Sequence, residues 1–190
     1  MNTLKSNRVQ LFTLSKEESN CPLIPQMLQF ANDIHHLLGR SKEESVIITM
    51  TYGKRMISTT SNVPLNHLSR TDFIEIVDFD PIRNILLIIG PANPDSITPL
   101  QWMIHHGKQE ILITIFIKEK TTDKETPKKI ITSLDEGNTI LETAKNVLKT
   151  LQKKSIILIK DKGVLITGDS TESVKERICL YMGKNNENKR

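Results

Sequence analysis

Apolar residues recur along this chain in two rhythms, at spacings of three and four in some stretches and unbroken or alternating in others. From Pro22 the rhythm is helical: Leu23, Met27, Phe30, Ala31, Ile34, Leu37 and Leu38 share one face, and Gly39 suits the C-terminal cap. Ile140, Leu141, Ala144, Val147, Leu148 and Leu151 make a second stripe, predicting a helix over 138–152 that the capping box Ser133-Leu134-Asp135-Glu136 opens. Thr98-Pro99 reads as an N-cap followed by the first helical residue, with Leu100, Met103 and Ile104 inward and Gly107 at the end. Strands are predicted where β-branched residues crowd: Val46–Tyr52, Arg55–Thr59, 73–79, Ile85–Ile89 and 111–117. The last of these, ILITIFI, is the most β-prone and is placed inside the sheet. Residues 68–72 read as one helical turn capped by Ser69. Residues 1–20 show no clear period and are either loosely held or an edge strand.

The stretch 155–177, SIILIKDKGVLITGDSTESVKER, combines the most devices in the fewest residues. Ile156–Ile159 is a short buried strand, Lys160-Asp161-Lys162-Gly163 a turn in which glycine supplies a positive φ, and Val164-Leu165-Ile166 the returning strand. After Gly168, one of Asp169, Ser170 or Thr171 caps a helix carrying Val174 and Ile178. Strands and helices interleave throughout, which predicts a layered α/β fold with a mixed sheet.

At 190 residues the chain has the length of one domain. It is divided here into an extension over 1–20, the domain over 21–182 and a basic, disordered tail over 183–190. The longest apolar run, Ile85–Ile89, is far short of the roughly 20 residues of a membrane span, and no signal-type segment opens the sequence, so the cytoplasm is expected and a membrane partner is not. Cys21 and Cys179 form no framework or metal motif and are read as core or surface thiols. The net charge of +4 resides in two segments, 118–129 and 184–190, each contributing +2. With aromatics at 4%, these read as solvated loops, not as a nucleic-acid surface. His35 and His36 are adjacent on a helix and project about 100° apart, a poor arrangement for shared metal binding. His105 and His106, at a helix end, are the other candidates, and two side chains fall short of a metal ligand set.

Three segments in order carry a resemblance. MISTTSNVPLNHLSRTD (56–72), PDSITPLQWMIH (94–105) and the closing hairpin with its helix (156–177) resemble, in turn, the Thr-Pro-Ser-Gly-like loop, the Pro-Ser-Ser-Glu-Thr-Pro-Leu helix start and the Leu-Leu-x-x-His-Gly-Val-x-x-x-Gly hairpin of the class II aldolase/adducin family. The resemblance implies a three-layer α/β/α sandwich, assembly as a homotetramer, and a divalent cation on three histidines that stabilises the enediolate of a sugar phosphate while a glutamate moves the proton.

The chain departs from that pattern at each chemical position. Strand 111–117 has no histidine, Lys162 precedes Gly163 where the third would stand, and Ile97 replaces the glutamate. The chain therefore reads as a degenerate member with no catalytic residue, metal or other cofactor. Thr59 and Ser61 of the first loop and Ser96 of the second survive as a residual site for a phosphorylated small molecule or other anion. The expected role is a non-catalytic binding or assembly module. The alternative is a metal-independent lyase in which Lys162 attacks a carbonyl to form a Schiff base.

Overall fold

Runs of Ile, Val and Leu are stable as strands where helices cover both faces of a sheet, and those of this chain find that arrangement. The computed structural model describes residues 9–39, 46–61, 63–118, 132–134, 137 and 139–183. Its strands are β1 Gln10–Ser15, β2 Val46–Tyr52, β3 Arg55–Thr59, β4 Phe73–Asp80, β5 Ile85–Ile89, β6 Ile113–Lys118, β7 Thr132–Leu134, β8 Ile156–Ile159 and β9 Gly163–Gly168. They join in one sheet, in the order β1-β5-β4-β3-β2-β6-β9-β8-β7. The two outermost pairs, β1 with β5 and β7 with β8, are parallel. Every pair between them is antiparallel, so the sheet is mixed as expected.

Helices α1 Ile24–Leu38 and α4 Thr171–Tyr181 cover one face, where Ile48, Ile57, Ile115 and Ile166 meet Phe30, Ile34 and Ile178. Helices α2 Thr98–Gly107 and α3 Ile140–Thr150 cover the other, with Ile104 and Val147 against Ile47, Phe116 and Leu165. The result is the three-layer α/β/α sandwich. Strand β6 shows why ILITIFI belongs inside: Ile113, Ile115 and Ile117 face the α1–α4 layer and Phe116 the α2–α3 layer, all buried. Lys175 of α4 pairs with Asp33 of α1, joining the two helices of one layer.

Several local expectations hold. Gly39 ends α1 at φ 76°, Ser69 caps a short turn over Arg70–Asp72, and Ser170 caps α4 by accepting from the Ser173 amide at 3.2 Å. Residues 1–20 contribute an edge strand, β1, so the sheet begins before residue 21. Cys21 is buried and Cys179 half-buried; burial, with Glu75 adding to it and the Leu23 backbone opposing, pushes the Cys21 thiol up.

Three details differ. The cap of α2 is Ile97, not Thr98, whose hydroxyl is buried without a partner among the described residues. The cap of α3 is Thr139, which accepts from the Glu142 amide at 3.2 Å; Ser133 instead lies in β7, and Asp135 and Glu136 lie outside the described residues. On α3, Leu141 is exposed, and Thr143 is buried beside Ala144 and Val147. The lysine-rich segment from 119 to 129 and the tail from 184 also lie outside the described residues. No helix among the described residues is long and apolar enough to cross a membrane.

Candidate functional site

The tight closing hairpin fixes one corner of the site. Asp161 takes φ 58° and the Lys162 amide donates to the Ile159 carbonyl at 3.1 Å, which turns the chain in a few residues. Gly163 then lies at φ 144°, where a Cβ would stand 2.1 Å from the Ile117 carbonyl oxygen. Only glycine lets β9 approach β6 this closely. That approach places Lys162 beside the end of β6, since Gly163 pairs in register with Lys118.

Lys118 is the charged end of a strand whose other residues are Ile, Thr and Phe. Its ammonium pairs with the Asp95 carboxylate, whose side chain is only 3% exposed while that of Lys118 is 37% exposed. The other Asp95 oxygen accepts from the Ile97 amide at 3.1 Å and from the Ser96 hydroxyl at 3.4 Å, and the Asp95 carbonyl accepts from the Thr98 amide at 3.1 Å. One carboxylate thus holds the loop after Pro94, starts α2 and anchors the end of β6. The stiffness of Asn93-Pro94-Asp95-Ser96 follows from these bonds.

A cavity of about 690 Å³ opens beside this loop. The segment before α2 contributes Asp95, Ser96 and Ile97, the first turn of α2 contributes Leu100, and the start of α3 contributes Thr139, Ile140 and Thr143. Lys162 lines it from the hairpin, and Val9, Leu11, Ile82, Asn84 and Leu86 line it from the β1–β5 edge. Thr143 is held in place by accepting from the Gly137 amide at 3.0 Å and donating to the Thr139 carbonyl at 3.1 Å. The α3 amides of Ile140 and Leu141 belong to a first turn and have no intrahelical acceptor.

Of the residues singled out in the sequence, Ser96 and Lys162 are brought to the cavity, both exposed. Thr59 and Ser61 are not among its lining residues. Thr59 is buried, and its Oγ1 accepts from the Ile48 amide at 3.0 Å, tying β3 to β2. Asp95, Lys118, Thr139 and Thr143 are site residues that sequence reasoning misses. A lysine closing a largely apolar strand and an aspartate three residues before a helix are the available signals.

His105 and His106 diverge. His106 stacks on Trp102 at 3.7 Å between centroids, and its Nδ1 lies 2.9 Å from the Trp102 carbonyl. His105 turns into the sheet, where a polar row crosses four strands: Ser58 on β3, Thr49 on β2, Thr114 on β6 and Thr167 on β9 pair in register. Its Nδ1 is 2.8 Å from the Ile111 carbonyl, an acceptor only, so that nitrogen carries the proton. Nε2 accepts from Thr49 at 3.1 Å, and Gln101 donates to Thr114 at 3.1 Å. Burial lowers the pKa of His105 to about 4; the Ile111 carbonyl opposes the shift and His106 adds to it. Among the described residues, no three His, Cys, Asp or Glu side chains come together as a metal site requires.

No family model matches the sequence, and no curated protein is detectably similar to it in sequence. Solved structures are similar in fold. An L-fuculose-1-phosphate aldolase from Thermus thermophilus is 14% identical, with a TM-score of 0.59 over 84% of this chain and 87% of that one. The N-terminal class II aldolase domain of a conserved protein from Thermoplasma acidophilum is 13% identical, with a TM-score of 0.59 over 90% and 93% of the two chains. An aldolase II superfamily protein from Pseudomonas syringae is 12% identical, with a TM-score of 0.58 over 84% of this chain and 72% of the other. The fold of this chain is that of the class II aldolases.

Proposed function

We propose that this chain uses the class II aldolase fold as a binding module for a small anionic molecule, a phosphate monoester or a carboxylate, and does not run metal-dependent aldol chemistry. The observation that carries the reading is the Asp95–Lys118 pair together with Lys162. Lys162 stands where the resemblance assigns the third histidine, Lys118 ends β6 opposite Gly163, and the β6 side chains before Lys118 are Ile, Thr and Phe. An ammonium has no lone pair for a cation and repels it, so the residues present do not fit a divalent metal. Lys162 suits an anion, while the Lys118 charge is met by the Asp95 carboxylate, which itself lines the cavity. The first turns of α2 and α3 both reach the cavity, where helix dipoles favour negative charge, and Ser96, Thr139 and Lys162 line it. Of Thr59, Ser61 and Ser96, the reading keeps Ser96, which lines the cavity.

The test is direct. Protein dialysed against a chelator and reloaded with zinc or manganese is assayed for metal content and for cleavage of L-fuculose 1-phosphate, and inorganic phosphate is titrated while the melting temperature is followed. No stoichiometric metal, no cleavage and a rise in melting temperature with phosphate are expected. Stoichiometric metal with cleavage that Ser96→Ala abolishes would overturn the reading. The lyase alternative rests on Lys162 lining the cavity, and borohydride with a triose phosphate would trap its Schiff base; no adduct is expected. Assembly as a homo-oligomer, a tetramer by the resemblance, is proposed alongside, and light scattering at the mass of a single 21.6 kDa chain would remove it.

A further inference from the structure

Strand β5 is covered on one face only. Leu86 and Ile88 are buried with Trp102 of α2, and Val9 packs against the same cluster. Side chains alternate along a strand, so Ile85, Leu87 and Ile89 point to the opposite face, that of α1 and α4, and all three are half-buried. The core beneath those two helices takes in Phe73 at the start of β4 and no residue of β5 or β1. Phe12 of β1 lies in register with Leu87 and is 52% exposed, and Leu14, where the register with β5 shifts, is exposed too. An apolar strip of sheet is left without a helix over it among the described residues.

Acids border the strip. Asp78 pairs in register with Leu87 and Asp80 with Ile85, so both carboxylates stand on the open face. Asp80 accepts from the Ile82 and Arg83 amides at 2.9 and 3.0 Å, with the Arg83 guanidinium 3.8 Å away. Asp78 accepts from the Phe79 amide at 2.8 Å, and no cation pairs with it among the described residues. Glu75, the next acid on this face, is already met by Arg55 at 2.7 Å. The chain carries +4 in all, so the border is acidic against the sign of the whole molecule.

Size and charge select an occupant. From β1 across β5 to β4 is two inter-strand steps, about 10 Å, and the five residues of β5 run about 17 Å. An α-helix is about 10 Å across and covers that length in about 11 residues. A second copy offers no such helix, because the four helices turn their apolar faces into their own core. Sheet against sheet, a strip this small is far from the roughly 800 Å² that each partner of a stable dimer buries. An anionic lipid surface is repelled by the acids.

We propose that the open β1–β5–β4 face docks an amphipathic helix of about three turns from a different protein, with its apolar stripe on Phe12 and Leu87 and its Lys or Arg side chains toward Asp78 and Asp80. Leu11 and Leu86 line the cavity on the other side of the sheet, so this docking is independent of the anion site.

Fluorescence anisotropy on the full chain compares two labelled peptides of about 12 residues that share one leucine stripe, with lysine or with glutamate at the polar positions. The lysine peptide should bind at one per chain with micromolar affinity, weaken as salt is raised, and bind at least about tenfold more tightly than the glutamate peptide. Phe12→Ser, at an exposed edge position, should weaken it about tenfold. Asp78→Asn, which keeps the acceptor for the Phe79 amide, should weaken it about threefold. Leu180→Ser, at an exposed apolar position on α4, should change nothing. Equal affinities for the two peptides, or binding that Phe12→Ser and Asp78→Asn both leave intact, would overturn the proposal. An oligomer of the free chain that Phe12→Ser disperses would overturn it as well, because a second copy would then occupy the face.

Discussion

His105 shows what a single buried side chain does to the stability of the molecule. Its folded pKa of about 4 lies below the ordinary 6.5, so between those values the unfolded chain binds the extra proton. Its contribution is complete above pH 6.5 and is lost as pH falls toward 4, by about 3 kcal/mol in all. The urea midpoint should therefore fall across that window, and His105→Gln should flatten the slope there. An unchanged slope in the variant would mean that some other group carries the titration. The sequence offers His105, with His106, only as a remaining candidate for a relocated metal site. Its true partners are Thr49 on β2, whose neighbours only the sheet order reveals, and the carbonyl of Ile111 in the segment leading into β6. Asp95 and Lys118 are hidden for the same reason, since 23 residues separate them and neither belongs to a motif.

At the scale of elements, local chemistry is legible where a device is complete within a few residues. The β8–β9 hairpin, the Ser170 cap and the Gly39 cap need no distant partner, and each stands where its residues predict. The start of α3 is not legible, because Ser133 through Glu136 is a sound capping box in isolation, yet Ser133 lies in a strand that pairs with Leu158. Tertiary pairing outweighs the local signal. Gly163 shows how a locally legible residue acquires a second, distant duty. The turn needs its backbone freedom, and β6 needs its missing side chain, because a Cβ would meet the Ile117 carbonyl at 2.1 Å. Gly163→Ala should destabilise by about 3 kcal/mol or more, read from the urea midpoint, with strain at φ and steric conflict adding. A loss below about 1 kcal/mol would mean that the hairpin shifts away from β6 and relieves the conflict.

At the scale of the molecule, the layering is readable from the interleaved periodicities, and the strand order is not. Nothing in the sequence of 10–15 says that it lies beside Ile85–Ile89, some 75 residues on, and that pairing brings Leu11 and Leu86 together in the cavity wall. The placement of β1 has a dynamic consequence. It is held along one edge only, by a parallel partner, and Phe12 and Leu14 are exposed, so few buried contacts oppose its detachment. Such a strand opens at lower cost than the interior of the sheet and exchanges its amide protons first. Leu11 belongs both to this strand and to the cavity, so a molecule bound against it is lost when the strand peels away. By mass action, occupancy must then hold the strand down, and the outermost amides of the fold become a reporter of what the cavity contains.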